Sequence, residues 1–323
     1  MIKNQKIEIA HPKNQLCLFG YDAYFKSFVR LFEKEELPHC VLLSGSKGLG
    51  KSTFAYHFIN YLLSDKEKNN YLVENLKINP NNSSYKLIQN NIHPNFFLLE
   101  NELTEDSIKI DQVRNLLIFL QRSTYTKDLK IVFIDNAEFL NVNSSNALLK
   151  SLEEPSSNSF FFIIHNDASE IKETIKSRCI QFKFHLNVDK KKDIFRKITQ
   201  DYQLNLNFND LDKFFYFESP GNLLKYLLAV EDSNFNISEN KLPCILFLID
   251  KYKTKKDPEL LNLITLLIEN FYNKLSQNDC NNINNYFTNK NKILYLINDM
   301  KKFNLDKKNL LITIDNILKN EAQ

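Results

Sequence analysis

Between residues 14 and 186, short unbroken apolar runs alternate with segments whose apolar residues recur three and four positions apart. CVLLSG (40–45), NFFLLE (95–100), KIVFIDN (130–136) and SFFFIIHN (159–166) are rich in β-branched and aromatic residues and bounded by polar or turn residues. Runs of that kind predict strands covered on both faces. GKSTFAYHFINYLL and IDQVRNLLIFLQR carry the helical period, and SSNALLKSLEEP predicts a helix capped by serine and stopped at Pro155. Strands alternating with helices predict an α/β domain with a doubly wound parallel sheet over 1–187. Residues 64–92 are polar and low in complexity, which predicts an irregular insertion.

After QFKFHL the alternation stops. Residues 188–238 predict a small helical unit in which SPGN (219–222) is a turn opening the helix LLKYLLAV. From 239 to 323, CILFLIDKY, ELLNLITLLIENFYNKL, KILYLINDMKKF and NLLITIDNILKN read as long amphipathic helices, an all-α C-terminal domain.

Composition narrows the function classes. The chain has 323 residues, enough for two or three domains, with 43% hydrophobic and 25% charged residues, as ordinary globular proteins have. A net charge of +3 is too small to predict free-standing nucleic-acid binding through counter-ion release. Five scattered cysteines, Cys17, Cys40, Cys179, Cys244 and Cys280, offer neither a disulfide framework nor the paired spacing of a zinc site. With no apolar leader and no apolar run of about 18 residues, the expectation is a cytoplasmic protein without a membrane span.

The chemistry concentrates in GSKGLGKS, residues 45–52, which follows a predicted strand and opens a predicted helix. In that context it reads as a phosphate-binding loop. Backbone N–H groups from Gly45 through Ser46, Lys47, Gly48, Leu49 and Gly50 can face phosphate oxygens, with Lys51, Ser52 and Thr53 opening the helix. Lys51 would neutralise phosphate charge and the Ser52 hydroxyl would ligate Mg²⁺. IVFID places Asp135 at a strand's carboxyl end, where a carboxylate can hold Mg²⁺ through water; the alternatives are a helix N-cap or a solvated loop carboxylate. Hydrolysis would need an acid at the following position, and Asn136 stands there. Glu138 is expected past the strand end, pointing elsewhere. The six histidines show no ligand spacing, and the basic clusters DKKKD (189–193) and KYKTKKD (251–257) read as solvated faces.

NALLKSLEEP, followed by a strand and then SRC (177–179), resembles the clamp-loader branch of the AAA+ proteins. HPN at 93–95 is similar to that family's His-Pro-acid signature, with Asn95 in place of the acid. The resemblance covers most of residues 10–235 and implies an AAA+ core over 1–187, a helical lid over 188–238 and a helical collar over 239–323. It implies that Arg178 is an arginine finger reaching a neighbouring subunit's γ-phosphate, a task that suits a planar, permanently charged fork. Asn166 falls where a γ-phosphate sensor is expected, or is a strand-end turn residue. Asn222 stands where motor subunits carry a lid arginine, with Lys225 the next basic residue. The family's four-cysteine zinc module is missing from 64–92, so no zinc is expected.

The leading reading is a non-motor clamp-loader subunit. Its partners would be gamma/tau- and delta-type subunits, with the sliding clamp and primed DNA reached through the complex, and ATP and Mg²⁺ as the ligands its loop could hold. The alternatives are a motor ATPase subunit of the gamma or tau type and, from another class, a P-loop small-molecule kinase. The kinase leaves NALLKSLEEP…SRC unexplained.

Overall fold

A computed structural model describes residues 9–101, 107–122, 129–156, 158–204, 214–216, 218–231, 241–256, 258–278, 282–303 and 307–320. Five strands, β1 (Cys40–Gly45), β2 (Phe96–Leu99), β3 (Lys130–Ile134), β4 (Ser159–Asn166) and β5 (Ile180–Lys183), form one parallel sheet in the order β2-β3-β4-β1-β5. The four predicted strands are present. β5 was not predicted, because its residues are exposed or half-buried and carry no apolar run.

Alternation of side chains across the sheet divides its core into two layers. Val41, Leu43, Ile131, Phe133, Phe160 and Phe162 face helices α1 (Asp22–Glu33) and α2 (Lys51–Ser64). Leu42, Val132, Ile134, Phe161 and Ile163 face α4 (Ile110–Gln121) and α5 (Val142–Glu153). The first layer is aromatic: Phe25 and Phe28 of α1 meet Phe54 and Phe58 of α2 edge-on, with centroids 5.2–5.9 Å apart. Each such buried side chain contributes about 1.5–3 kcal/mol of transfer free energy.

Residues 64–92 are largely turns and irregular chain, as expected, but they are packed into the core rather than loose. They form α3 (Ser83–Gln89), whose N-cap Asn82 accepts from the Tyr85 amide at 2.6 Å, and send Tyr71, Leu76, Ile78, Tyr85 and Ile88 into the first core layer. Several polar groups beneath them are hydrogen-bonded. His57 meets the Tyr71 hydroxyl at 2.8 Å and the Gln15 carbonyl at 3.0 Å, and Asn60 donates to Asn82 Oδ1 at 3.1 Å. Apolar residues spaced irregularly among asparagines hide a packed segment from any periodicity test.

Beyond α6 (Glu173–Lys176) and β5 come α7 (Val188–Asp201), α8 (Pro220–Glu231), α9 (Lys241–Lys255), α10 (Pro258–Asn278), α11 (Ile283–Phe303) and α12 (Lys307–Asn320). The chain divides into two compact units, Met1–Leu206 with Asp212–Asn222, and Asn207–Leu211 with Leu223–Gln323. The division falls within α8. In the second unit α9 packs on α10 and α12, and α11 on α10 and α12, around Leu248, Ile264, Ile268, Ile293, Ile297 and Leu318. Among the described residues no helix is long and apolar enough to cross a membrane.

Candidate functional site at the phosphate loop

The loop 45–50 leaves β1 and enters α2 with Gly50 as N-cap, in the left-handed conformation at φ +85°. Gly48 is also left-handed, at φ +78°, and a Cβ there would sit 2.3 Å from Ser219 Oγ. Only glycine serves at such a position. Ser46 and Lys47 are exposed at the loop's tip, while Leu49 is anchored in the core and Tyr21, buried beneath, donates its hydroxyl to the Leu49 carbonyl. Thr53 is half-buried in the first turn of α2. The amide of Gly221 donates to the Gly48 carbonyl at 3.1 Å, so the start of α8 rests on the loop tip.

Lys51 is 5% exposed and donates to the loop's own carbonyls, Gly45 at 2.6 Å and Ser46 at 2.8 Å. An ammonium has three donors, so one is left for a ligand. Burial pulls its pKa down to about 8, against the pull of the Glu138, Asp167 and Asp135 carboxylates. Across the loop, Ser52 Oγ donates to Asp135 Oδ1 at 3.0 Å, which brings the two residues expected around Mg²⁺ together. Burial raises Asp135 to about 6, with the Glu100 and Glu138 carboxylates adding and the Ser52 hydrogen bond and Lys51 opposing.

Glu138 overturns its expectation. It does not point elsewhere: its Oε2 accepts from the Asn166 amide at 3.4 Å, and it is the carboxylate acting most strongly on Lys51. The cause is local. Asn136 takes the left-handed conformation at φ 58°, which asparagine tolerates better than glutamate, and a 3-10 turn over Ala137–Phe139 swings Glu138 back toward the sheet's carboxyl edge. Asn166 ends β4 directly beside Gly45 in the strand register, with its side-chain Oδ1 accepting from the Ala168 amide at 3.3 Å. Asn222, half-buried, is held by Glu218 at 3.0 Å. Tyr21, Glu138 and Gly221 are loop neighbours the sequence did not reveal, since nothing local marks them.

Arg178 lies elsewhere. It precedes β5, whose Ile180 pairs with Val41, four residues before Gly45. At about 3.3 Å per residue that is roughly 13 Å along the strand, so Arg178 stands at the sheet edge opposite its own phosphate loop. Buried Asn95 of HPN is also at that edge, its carbonyl accepting from Ile131 at the start of β3. Arg178 Nε donates to Glu153 Oε1 at 2.7 Å and Nη2 to the same oxygen, while Nη1 donates to the Thr174 carbonyl at 2.7 Å.

Chemically, the loop, the first turn of α2 and the end of β3 bring an ammonium, a hydroxyl and a carboxylate close together. Among the described residues no group of three or more His, Cys, Asp or Glu side chains could hold a metal ion. A cation here would share the Ser52–Asp135 pair with ligand oxygens and water, as Mg²⁺ does in phosphate sites.

Residues 20–187 match the family model described as DNA polymerase III, delta subunit. The chain is 38% identical over 143 residues to DNA polymerase III subunit delta' of Pseudomonas aeruginosa, covering 44% of this chain and 42% of that protein. It is 29% identical to the subunit of the same name from Buchnera aphidicola (51% and 48% covered) and 25% identical to that of Escherichia coli (48% and 45%). The matches thus span a little under half the length of these relatives. Among solved structures it is similar to a gamma subunit-related protein of Thermotoga maritima, with TM-score 0.47 and 17% identity over 93% of this chain and 99% of that one. Since the matched region is more than half of the sequence, the chain belongs to the DNA polymerase III delta-subunit family, and the relatives named above that it resembles over that region are delta' subunits.

Proposed function

We propose that this chain is the non-motor, delta-prime-like subunit of a bacterial replicative clamp loader. Arg178 completes the ATP site of a neighbouring gamma/tau-type subunit, and the complex, with a delta-type subunit, uses that hydrolysis to load the sliding clamp on primed DNA. One observation supports the reading: Arg178 stands at the sheet edge away from the loop 45–50 of its own chain, out of reach of a ligand held there. The lid (188–238) and collar (239–323) boundaries belong to this proposal, with the collar holding the subunits together.

The loop's own ligand is ATP with Mg²⁺. The fit rests on Gly50, where an added Cβ would meet only Tyr21 at 3.7 Å, on the spare donor of Lys51, and on the Ser52–Asp135 pair. Bound Mg-ATP would supply an activated γ-phosphoryl group. Lys51 holds phosphate charge, Ser52 and Asp135 orient the cation, and Asn136, an amide, accepts no proton from water. A second reading, a motor ATPase, is favoured by Glu138 alone, which turns a carboxylate toward Lys51 and Asn166. The two part on whether the chain by itself turns ATP over.

The primary test is Arg178→Ala in the reconstituted complex. Loss of an arginine finger lowers turnover at the site it serves by about 10³-fold or more, with assembly on gel filtration unchanged. Normal clamp loading by that complex would refute the reading.

A further inference from the structure

We propose that Glu153 is the positioning residue for Arg178, fixing the guanidinium in its outward pose before a neighbour's phosphate arrives; the inference rests on the finger reading above.

The two residues are 25 positions apart, and the fold joins them. α5 runs back from the phosphate-loop edge of the sheet and ends at Glu153, on the edge where α6 delivers Arg178. Glu153 Oε1 takes both Nε and Nη2, the Thr174 carbonyl takes Nη1 at 2.7 Å, and the Ser177 hydroxyl lies 3.4 Å from Nη1. A guanidinium has five N–H donors. Three are committed to Glu153 and Thr174, a fourth makes a long contact, and among the described residues the second hydrogen of Nη2 meets no acceptor.

The carboxylate therefore grips one edge of the fork and leaves donor capacity outward. A free arginine side chain loses much rotamer freedom when it docks, and an arginine already held loses little. The Arg178 side chain is 27% exposed and that of Glu153 47%, so water reaches the pair and an incoming phosphate can too. A surface ion pair contributes little to stability. Its value here is orientation, as geometry within a fraction of an ångström decides how well a charge stabilises a transition state.

The experiment uses the complex reconstituted from this chain with the gamma- and delta-type subunits of the same genome, its sliding clamp and primed DNA. ATP turnover is measured against ATP concentration for wild type, Glu153→Ala, Glu153→Gln, Arg178→Ala and the Glu153→Ala/Arg178→Ala double variant. Glu153→Ala is expected to lower kcat roughly tenfold with KM for ATP unchanged. Glu153→Gln, whose amide oxygen still accepts, is expected to recover most of the loss. In the Arg178→Ala background, Glu153→Ala is expected to add nothing, which a merely structural role would not produce. In the isolated chain, the Arg178 Nε–H NMR resonance is expected to be protected from exchange in wild type and exposed in Glu153→Ala.

Wild-type or raised turnover with Glu153→Ala, alongside a dead Arg178→Ala complex, would overturn the positioning role and leave the finger intact. An equal loss in both backgrounds would also overturn it. Full turnover with Arg178→Ala would instead remove the finger reading itself. Should Glu153→Ala not fold, Glu153→Gln and the Nε–H resonance decide: an unprotected wild-type Nε–H would overturn the proposal.

Discussion

Between pH 7 and about pH 9 the affinity of the isolated chain for ATP should fall, because Lys51 loses its proton. Its pKa is held near 8, chiefly by burial. Phosphate oxygens beside the ammonium favour the charged form, so above pH 8 the free chain must take up a proton to bind. Linkage then raises Kd about tenfold, or about 1.4 kcal/mol, per pH unit. On the acid side the sign reverses. Asp135, raised to about 6 mainly by burial, is protonated below that pH and must release its proton to hold Mg²⁺, so Mg²⁺-dependent affinity falls as pH drops through 6. The profile is a bell with limbs near 6 and 8. Removing Mg²⁺ with a chelator should flatten only the acid limb. Titration of a fluorescent ATP analogue from pH 5 to 9.5 measures both limbs. Calorimetry at about pH 9, in buffers of different ionisation enthalpy, should show uptake of close to one proton. ATP's own terminal phosphate ionises near the acid limb, so the alkaline limb carries the test. An unchanged Kd from pH 7 to 9.5 would refute the argument, as would the same limb in Lys51→Arg, whose guanidinium stays charged.

If the motor reading is correct, the isolated chain turns ATP over steadily with Mg²⁺, and Glu138→Gln lowers that rate by at least about tenfold; a rate at the no-enzyme background in wild type favours the non-motor reading. Gly221→Ala should destabilise the chain by about 1–3 kcal/mol, since its Cβ would lie 2.7 Å from the Gly48 carbonyl oxygen and 3.2 Å from Gly48 Cα, neither of which can swing aside. Thermal denaturation should show a fall of several degrees, and an unchanged midpoint would mean that the contact between α8 and the loop is dispensable.

Much of the candidate site was legible in the chain itself. Four of the five strands are runs of one residue class, and a strand covered on both faces needs nothing but apolar residues. The loop is equally local: a strand end, left-handed glycines and a helix start within GSKGLGKS. Asp135 follows from its place after IVFI. β5 escaped notice because an edge strand need not be apolar, and residues 64–92 because their buried positions obey neither helical nor strand period.

The rest depended on contacts between segments distant in sequence. A left-handed Asn136 and one 3-10 turn reversed the direction of Glu138, a matter of backbone angles that residue types alone do not set. That Arg178 and Glu153 share one edge follows from the parallel crossover, which returns α5 and α6 to the start of the strands. Residue type and spacing thus specify a site assembled within one loop. That Arg178 lies far from the loop 45–50 is specified only when the sheet order and strand register place the two at opposite ends.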